Sequence, residues 1–179
     1  MGFNSIALGF LFFIDFRLNG FDILPDIVGY ILIIYGLRYL AEENQSFRLA
    51  RSMAIPLTVT SVFDIYQAQQ NANNVSFEFT LNILFTILTT ILFILMVYNL
   101  CMGIGEKARN KEDFEMENLA LRRWKIFITY QVLFLIMILL GIVVPPMVLL
   151  MFIPMFIFCI VSLVLMITLF MRADTRFRL

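Results

Sequence analysis

DFRLNGFDILPDIVGY, residues 15–30, sets Asp15, Arg17, Asp22 and Asp26 between two strongly apolar runs. Charges at the edge of a membrane span are costly to place, so they have a structural or functional reason to be there. The pattern reads as a turn followed by a helix start. Gly20 sits in the turn, Asp22 can cap the second helix, and Pro25 falls in its first turn, where a missing N–H is harmless. Asp26 then lies near the positive end of that helix dipole. The runs on either side become the first two of a series of membrane segments.

A spanning helix needs about 20 mostly apolar residues. Six candidate segments follow, at about 3–16 (short), 23–40, 53–67, 77–102, 124–144 and 147–171, with a cytoplasmic linker at 103–123. The predicted fold is all-α, a polytopic transmembrane helical bundle of about six spans forming one integral membrane domain. The apolar runs are continuous and not alternating, which argues against a β-barrel. Asn71, Asn73 and Asn74 mark the loop after the third segment, and Pro145-Pro146 breaks the last two apart. Pro56 and Pro154 fall inside apolar runs and predict kinks, which membrane bundles tolerate.

Composition supports this reading. Of 179 residues, 61% are hydrophobic, and the mean hydropathy is +0.92. A soluble domain carries roughly 45–50% apolar residues, so the excess calls for lipid as a partner. Thirteen basic and thirteen acidic residues cancel, which argues against nucleic-acid binding, since that shows as a basic field. The absence of histidine removes the commonest general base, metal ligand and near-neutral switch. Cys101 and Cys159 have no metal-ligand spacing and read as buried small hydrophobes. No metal or cofactor is expected. The N-terminal MGFNSIALGFLFF lacks the basic n-region and small-residue cleavage site of a signal peptide, and reads as a retained first segment.

Orientation follows from the basic residues. Arg38, Arg48 and Arg51, then Lys107, Arg109, Lys111, Arg122, Arg123 and Lys125, then Arg172, Arg176 and Arg178 all fall on alternate connections. The intervening connections at 67–76 and 143–146 carry no lysine or arginine. By the positive-inside rule the basic ends are cytoplasmic, and six spans place both termini there; a first segment that only dips into the membrane would leave the N-terminus outside instead.

Three constellations could carry chemistry. Asp15, Asp22, Asp26, Asp64 and Glu78 fall at the outer boundary with Arg17 as the one base. Such carboxylates would raise one another's pKa and could attract a cation. They also read as helix caps and interface charges, with Arg17 paired to Asp22 or Asp26. Glu78, Asn82, Thr86 and Thr90 form a stripe at steps of four along segment four, facing Ser61, Asp64 and Gln67 of segment three. That stripe would bond across the two helices or open a polar path into the bundle. The linker GEKARNKEDFEMENLALRRWK has a partial amphipathic face, and Arg122, Arg123, Trp124 and Lys125 form an interfacial anchor. It would be a solvated helix leading into segment five, or a docking surface for a cytoplasmic partner. Gly29 and Gly36, seven apart, would form a close-packing seam, either internal or between two copies of a homo-oligomer.

The block at 15–30, and GFDILPDIVGY (Gly20–Tyr30) above all, resembles a segment of small multi-span membrane proteins of Gram-positive bacteria. The resemblance covers mainly the first two segments and implies a bacterial cytoplasmic membrane location. That family has no assigned activity, so no catalytic residue carries over. The expected function is non-enzymatic: a membrane-embedded accessory or interaction subunit acting through membrane or cytoplasmic protein partners. The alternative is a small transporter or channel-like carrier using the outer carboxylates, and a weaker third is a membrane enzyme acting on lipid.

Overall fold

A computed structural model describes residues 2–13, 17–18, 21–22, 26–65, 77–143 and 145–177. It contains six helices: α1 (Gly2–Leu11), α2 (Asp26–Glu43), α3 (Gln45–Ile65), α4 (Phe77–Asn110), α5 (Phe114–Val143) and α6 (Pro145–Phe177). A two-residue antiparallel pair, β1 (Arg17–Leu18) with β2 (Phe21–Asp22), follows α1. Apart from that pair, the regular structure among the described residues is all helical. Long apolar runs favour this outcome, because a helix satisfies every backbone N–H and C=O within its own segment.

The helices outrun the apolar segments that predict them. α3 begins at Gln45, ahead of the apolar run that starts near residue 53. The linker at 103–123 is helical on both sides of a short turn, α4 running to Asn110 and α5 starting at Phe114, and its second half is the helix expected to lead into segment five. Its residues are polar, but Ala, Glu, Lys, Arg and Leu are strong helix formers whatever their polarity. Pro56 and Pro154 both sit within continuous helices. At the expected rise of 1.5 Å per residue, α4, α5 and α6 are about 45–51 Å long and exceed a hydrocarbon core of about 30 Å. The ten residues of α1 cover about 15 Å, half of that thickness.

Two compact turns join the helices at one end. Asn44 alone separates α2 from α3, and its side-chain oxygen accepts from Ser46 N–H at 2.7 Å, an N-cap for α3. Between α4 and α5, Asp113 N–H donates to the Ala108 carbonyl at 2.9 Å and Glu112 N–H to that of Arg109 at 3.0 Å. This is a Schellman closure, with Glu112 in the left-handed position at φ 59°. Asp113 then caps α5, accepting from Met116 N–H at 3.0 Å.

Each helix packs on the next in sequence, and α6 returns to pack on α1, so the six form a closed ring of neighbours. Every neighbouring pair is antiparallel. The start of α1 meets the end of α6 at Phe3–Phe177 (5.8 Å between rings), and Phe10 meets Phe170 at 4.9 Å further along. Phe47 near the start of α3 lies over Gly103 towards the end of α4. Tyr98 and Phe93 of α4 meet Trp124 and Phe127 of α5 in reverse order. The starts of α1, α3 and α5 therefore share one end with the finishes of α2, α4 and α6.

The α1–α2 contact is a backbone seam. A methyl group on Gly29 would sit 2.7 Å from the Gly9 carbonyl oxygen, and one on Gly9 would sit 2.6 Å from that of Gly29. Gly2 and Gly36 stand in the same reciprocal relation seven residues away. The seam formed by Gly29 and Gly36 is thus internal, occupied by α1. Around it, Ile6, Phe10, Ile33, Leu37, Phe47, Leu100, Ile104 and Phe170 are fully buried. An aromatic string, Tyr30–Phe13–Phe93–Phe127, crosses the middle of the bundle.

The outside is the reverse of a water-soluble surface. On α6, Phe152, Ile153, Phe156, Ile157, Val161 and Val164 are exposed, as are Val132 to Ile136 on α5. Two helices among the described residues, Phe85–Asn110 and Met151–Phe177, are long and apolar enough to cross a membrane. Only 17% of the most apolar window of the latter is buried, where a soluble core helix would be mostly covered.

Candidate functional site: the charged end of the bundle

The outer acidic group falls largely outside what the structure describes. Asp15 lies outside the described residues. Arg17 and Asp22 stand opposite each other as Cα partners in the β1–β2 pair. Asp22 therefore belongs to a strand and is not adjacent to the start of α2, where it was expected to cap; extended pairing with Arg17 fixes its backbone instead. Asp26 is the first residue of α2 and is half-buried. Asp64 lies in the last turn of α3 and Glu78 in the first turn of α4, placing both at the end shared with Asp26. The side chains of Asp64, Glu78 and Asn82 lie outside the described residues.

Of the polar stripe, Thr86 and Thr90 are described, and both lie on the exposed surface of α4. Thr90 Oγ1 donates to the Thr86 carbonyl at 2.8 Å, and Thr89 donates to those of Phe85 and Thr86. On α3, Thr58 and the buried Ser61 likewise donate to carbonyls of their own helix. These hydroxyls bond back to their own helix, the usual resolution for a hydroxyl facing an apolar surround. Cys101 and Cys159 are both free thiols.

The opposite end carries a dense, partnered set of charges. Lys107 of α4 pairs with Glu43 of α2 and lies over the rings of Phe3 and Phe177, at 5.7 and 5.5 Å. Arg109 pairs with Glu117 across the α4–α5 turn. Arg176 of α6 bonds to Asp113 at 3.1 Å and to Glu115 at 2.8 Å. Ser46 of α3 donates to Glu106 of α4 at 3.1 Å. Exposed pairs of this kind add little to stability, so their main effect is to fix how the helix ends sit together.

Beside this network lies a cleft of about 430 Å³ between the start of α5 and the end of α6, lined by Glu115, Met116, Asn118, Leu119, Arg122, Arg172 and Arg176. Arg176 is held by Asp113 and Glu115, whereas Arg122 and Arg172 make no ion pair among the described residues. Arg123 adjoins them. Its pKa is lowered by burial first, and then by the positive charges of Arg172 and Arg122. Its Nε is buried without a hydrogen-bond partner among the described residues. Three guanidiniums thus lie close enough to repel one another, and two of them make no ion pair among the described residues, an arrangement suited to an anion. The sequence marks Arg122 and Arg123 as an anchor, but Arg172 and Arg176 lie some 50 residues on, and only the α5–α6 pairing brings the two groups together.

Among the described residues, no cluster of histidine, cysteine, aspartate or glutamate is arranged to hold a metal ion. Comparison with protein-family models, with curated proteins and with solved structures gives no match.

Proposed function

We propose that this chain is a multi-pass protein of the bacterial cytoplasmic membrane, a non-enzymatic accessory subunit whose charged end lies in the cytoplasm and engages a protein partner. The observation that carries the membrane part is α6, whose long apolar surface is left open by the rest of the bundle. Exposed apolar area on this scale is not sustained in water. The bacterial location rests on the resemblance of Gly20–Tyr30.

Six membrane-inserted helices, with both termini on the cytoplasmic side, fit the ring and its alternation. The lysines and arginines of the described helix ends gather at the end where Phe3 meets Phe177, as the positive-inside rule requires of a cytoplasmic face. In this arrangement α1 is a half-length helix held against α2 and α6. The accessory role is supported by the same polar end: α4, α5 and α6 project beyond an apolar layer and present ordered, ion-paired side chains.

The test is fractionation followed by capture. The full chain is expected to stay in alkali-washed membranes and to retain a stoichiometric protein partner in mild detergent. Release by alkali sinks the membrane reading. Retention with no partner, together with solute flux in proteoliposomes, replaces the accessory reading with transport.

A further inference from the structure

The cleft between α5 and α6 has a continuation. A second, shallower groove of about 210 Å³ is lined by Ile128, Thr129, Val132 and Leu133. Arg122 and Thr129 are seven residues apart on α5, so the groove follows the cleft along one helix face, about 10 Å further on. The polar cleft lies just past the apolar part of both helices, and the groove lies within it. Val132 and Leu133 join the exposed apolar belt. Trp124, half-buried against Tyr98 and Phe127, marks the level between them, where an indole commonly sits in a headgroup layer.

We infer that this pair of sites holds an anionic phospholipid, its phosphate between Arg122 and Arg172 and an acyl chain along Ile128–Leu133. The inference rests on the membrane reading above. Arg122 and Arg172 are exposed cations without acidic partners among the described residues, and a phosphate oxygen can accept from both. The adjacent Arg123 adds to the positive field. A choline headgroup would bring a fourth cation to these arginines, so the site favours glycerol-type anionic headgroups over zwitterionic ones. Basic pockets between helices on the cytoplasmic side suit such headgroups. A water-borne acidic peptide would gain nothing from the groove, which runs away from the polar end into the apolar belt.

Native mass spectrometry of the full chain, titrated with phosphatidylglycerol or phosphatidylcholine of matched acyl chains, tests this. Wild type is expected to prefer phosphatidylglycerol. R122Q/R172Q, changing two exposed residues, should weaken that binding about tenfold, to the phosphatidylcholine level. R38Q/R48Q removes the same charge from the same end on α2 and α3 and should leave it unchanged. Val132→Trp, filling the groove, should weaken long-chain phosphatidylglycerol and spare a short-chain form. Unchanged binding in R122Q/R172Q overturns the site. Equal loss in R38Q/R48Q overturns it too, because surface charge would then suffice. Displacement of lipid by millimolar inorganic phosphate would show a free-anion site and overturn the lipid assignment. A chain released by alkali fails the membrane reading. One that is retained but indifferent to headgroup fails only this one.

Discussion

Glu112 is the one non-glycine residue with a left-handed backbone among those described, and it closes α4 where glycine is usual. A Cβ in that conformation costs about 1 kcal/mol. Its removal should therefore outweigh the added freedom of the unfolded chain. Glu112→Gly is expected to raise the thermal midpoint by roughly 2–4 °C, read by circular dichroism in detergent. No change would mean that the turn is held by Asp113 and Arg176 alone. Position 112 itself was not legible from sequence: KARNKEDFEME offers no glycine, and good helix formers run on both sides. The cap that follows has a local signature, since an aspartate three residues before Met116 is a familiar helix start. The arginine cleft had half a signature. Arg122 and Arg123 were visible as a basic pair, but their nearness to Arg172 is a tertiary fact.

At the scale of elements, the pairing of α1 with α2 turns on backbone approach. Gly29→Val would drive side-chain atoms into the Gly9 carbonyl and the Phe13 ring, which lie 2.7 and 3.0 Å from a Cβ at that position. A loss of about 1–3 kcal/mol is expected, measured as a lowered unfolding midpoint. Gly105→Ala is the contrast. Nothing lies within 4 Å of its Cβ position, so the substitution should be neutral or stabilise by up to about 1 kcal/mol through helix propensity. Equal effects at both sites would deny the seam. The seven-residue spacing of Gly29 and Gly36 is plain in the sequence, and so is the matching spacing of Gly2 and Gly9. Their partnership is not, because the spacing alone fits an internal seam and one between two copies equally well. Helix existence was legible throughout, since apolar runs leave the backbone few alternatives. Helix ends were not, because hydropathy falls at the polar boundary while helix propensity does not.

For the molecule as a whole, alternation is the testable property. α3 ends and α4 begins at the end opposite Lys107, Arg109 and Arg176. A cysteine at Asn73, in a background lacking Cys101 and Cys159, should react with an impermeant maleimide added to intact cells. Labelling only after permeabilisation would invert the proposed orientation. The alternation of helix ends has a counterpart in the sequence, where all the lysines and arginines but Arg17 fall on every second connection or at the C-terminal end. The ring order was not readable: α6 could have packed on the outside of any pair, and its return to α1 depends on Phe10 meeting Phe170 and Phe3 meeting Phe177.

That return has a consequence for biogenesis. α1 precedes the other five helices along the chain, yet one of its two neighbours is α6, which follows them all. Until α6 arrives, the buried faces of Phe3 and Phe10 have no lasting cover on that side. The ring can therefore close only once α6 has been made.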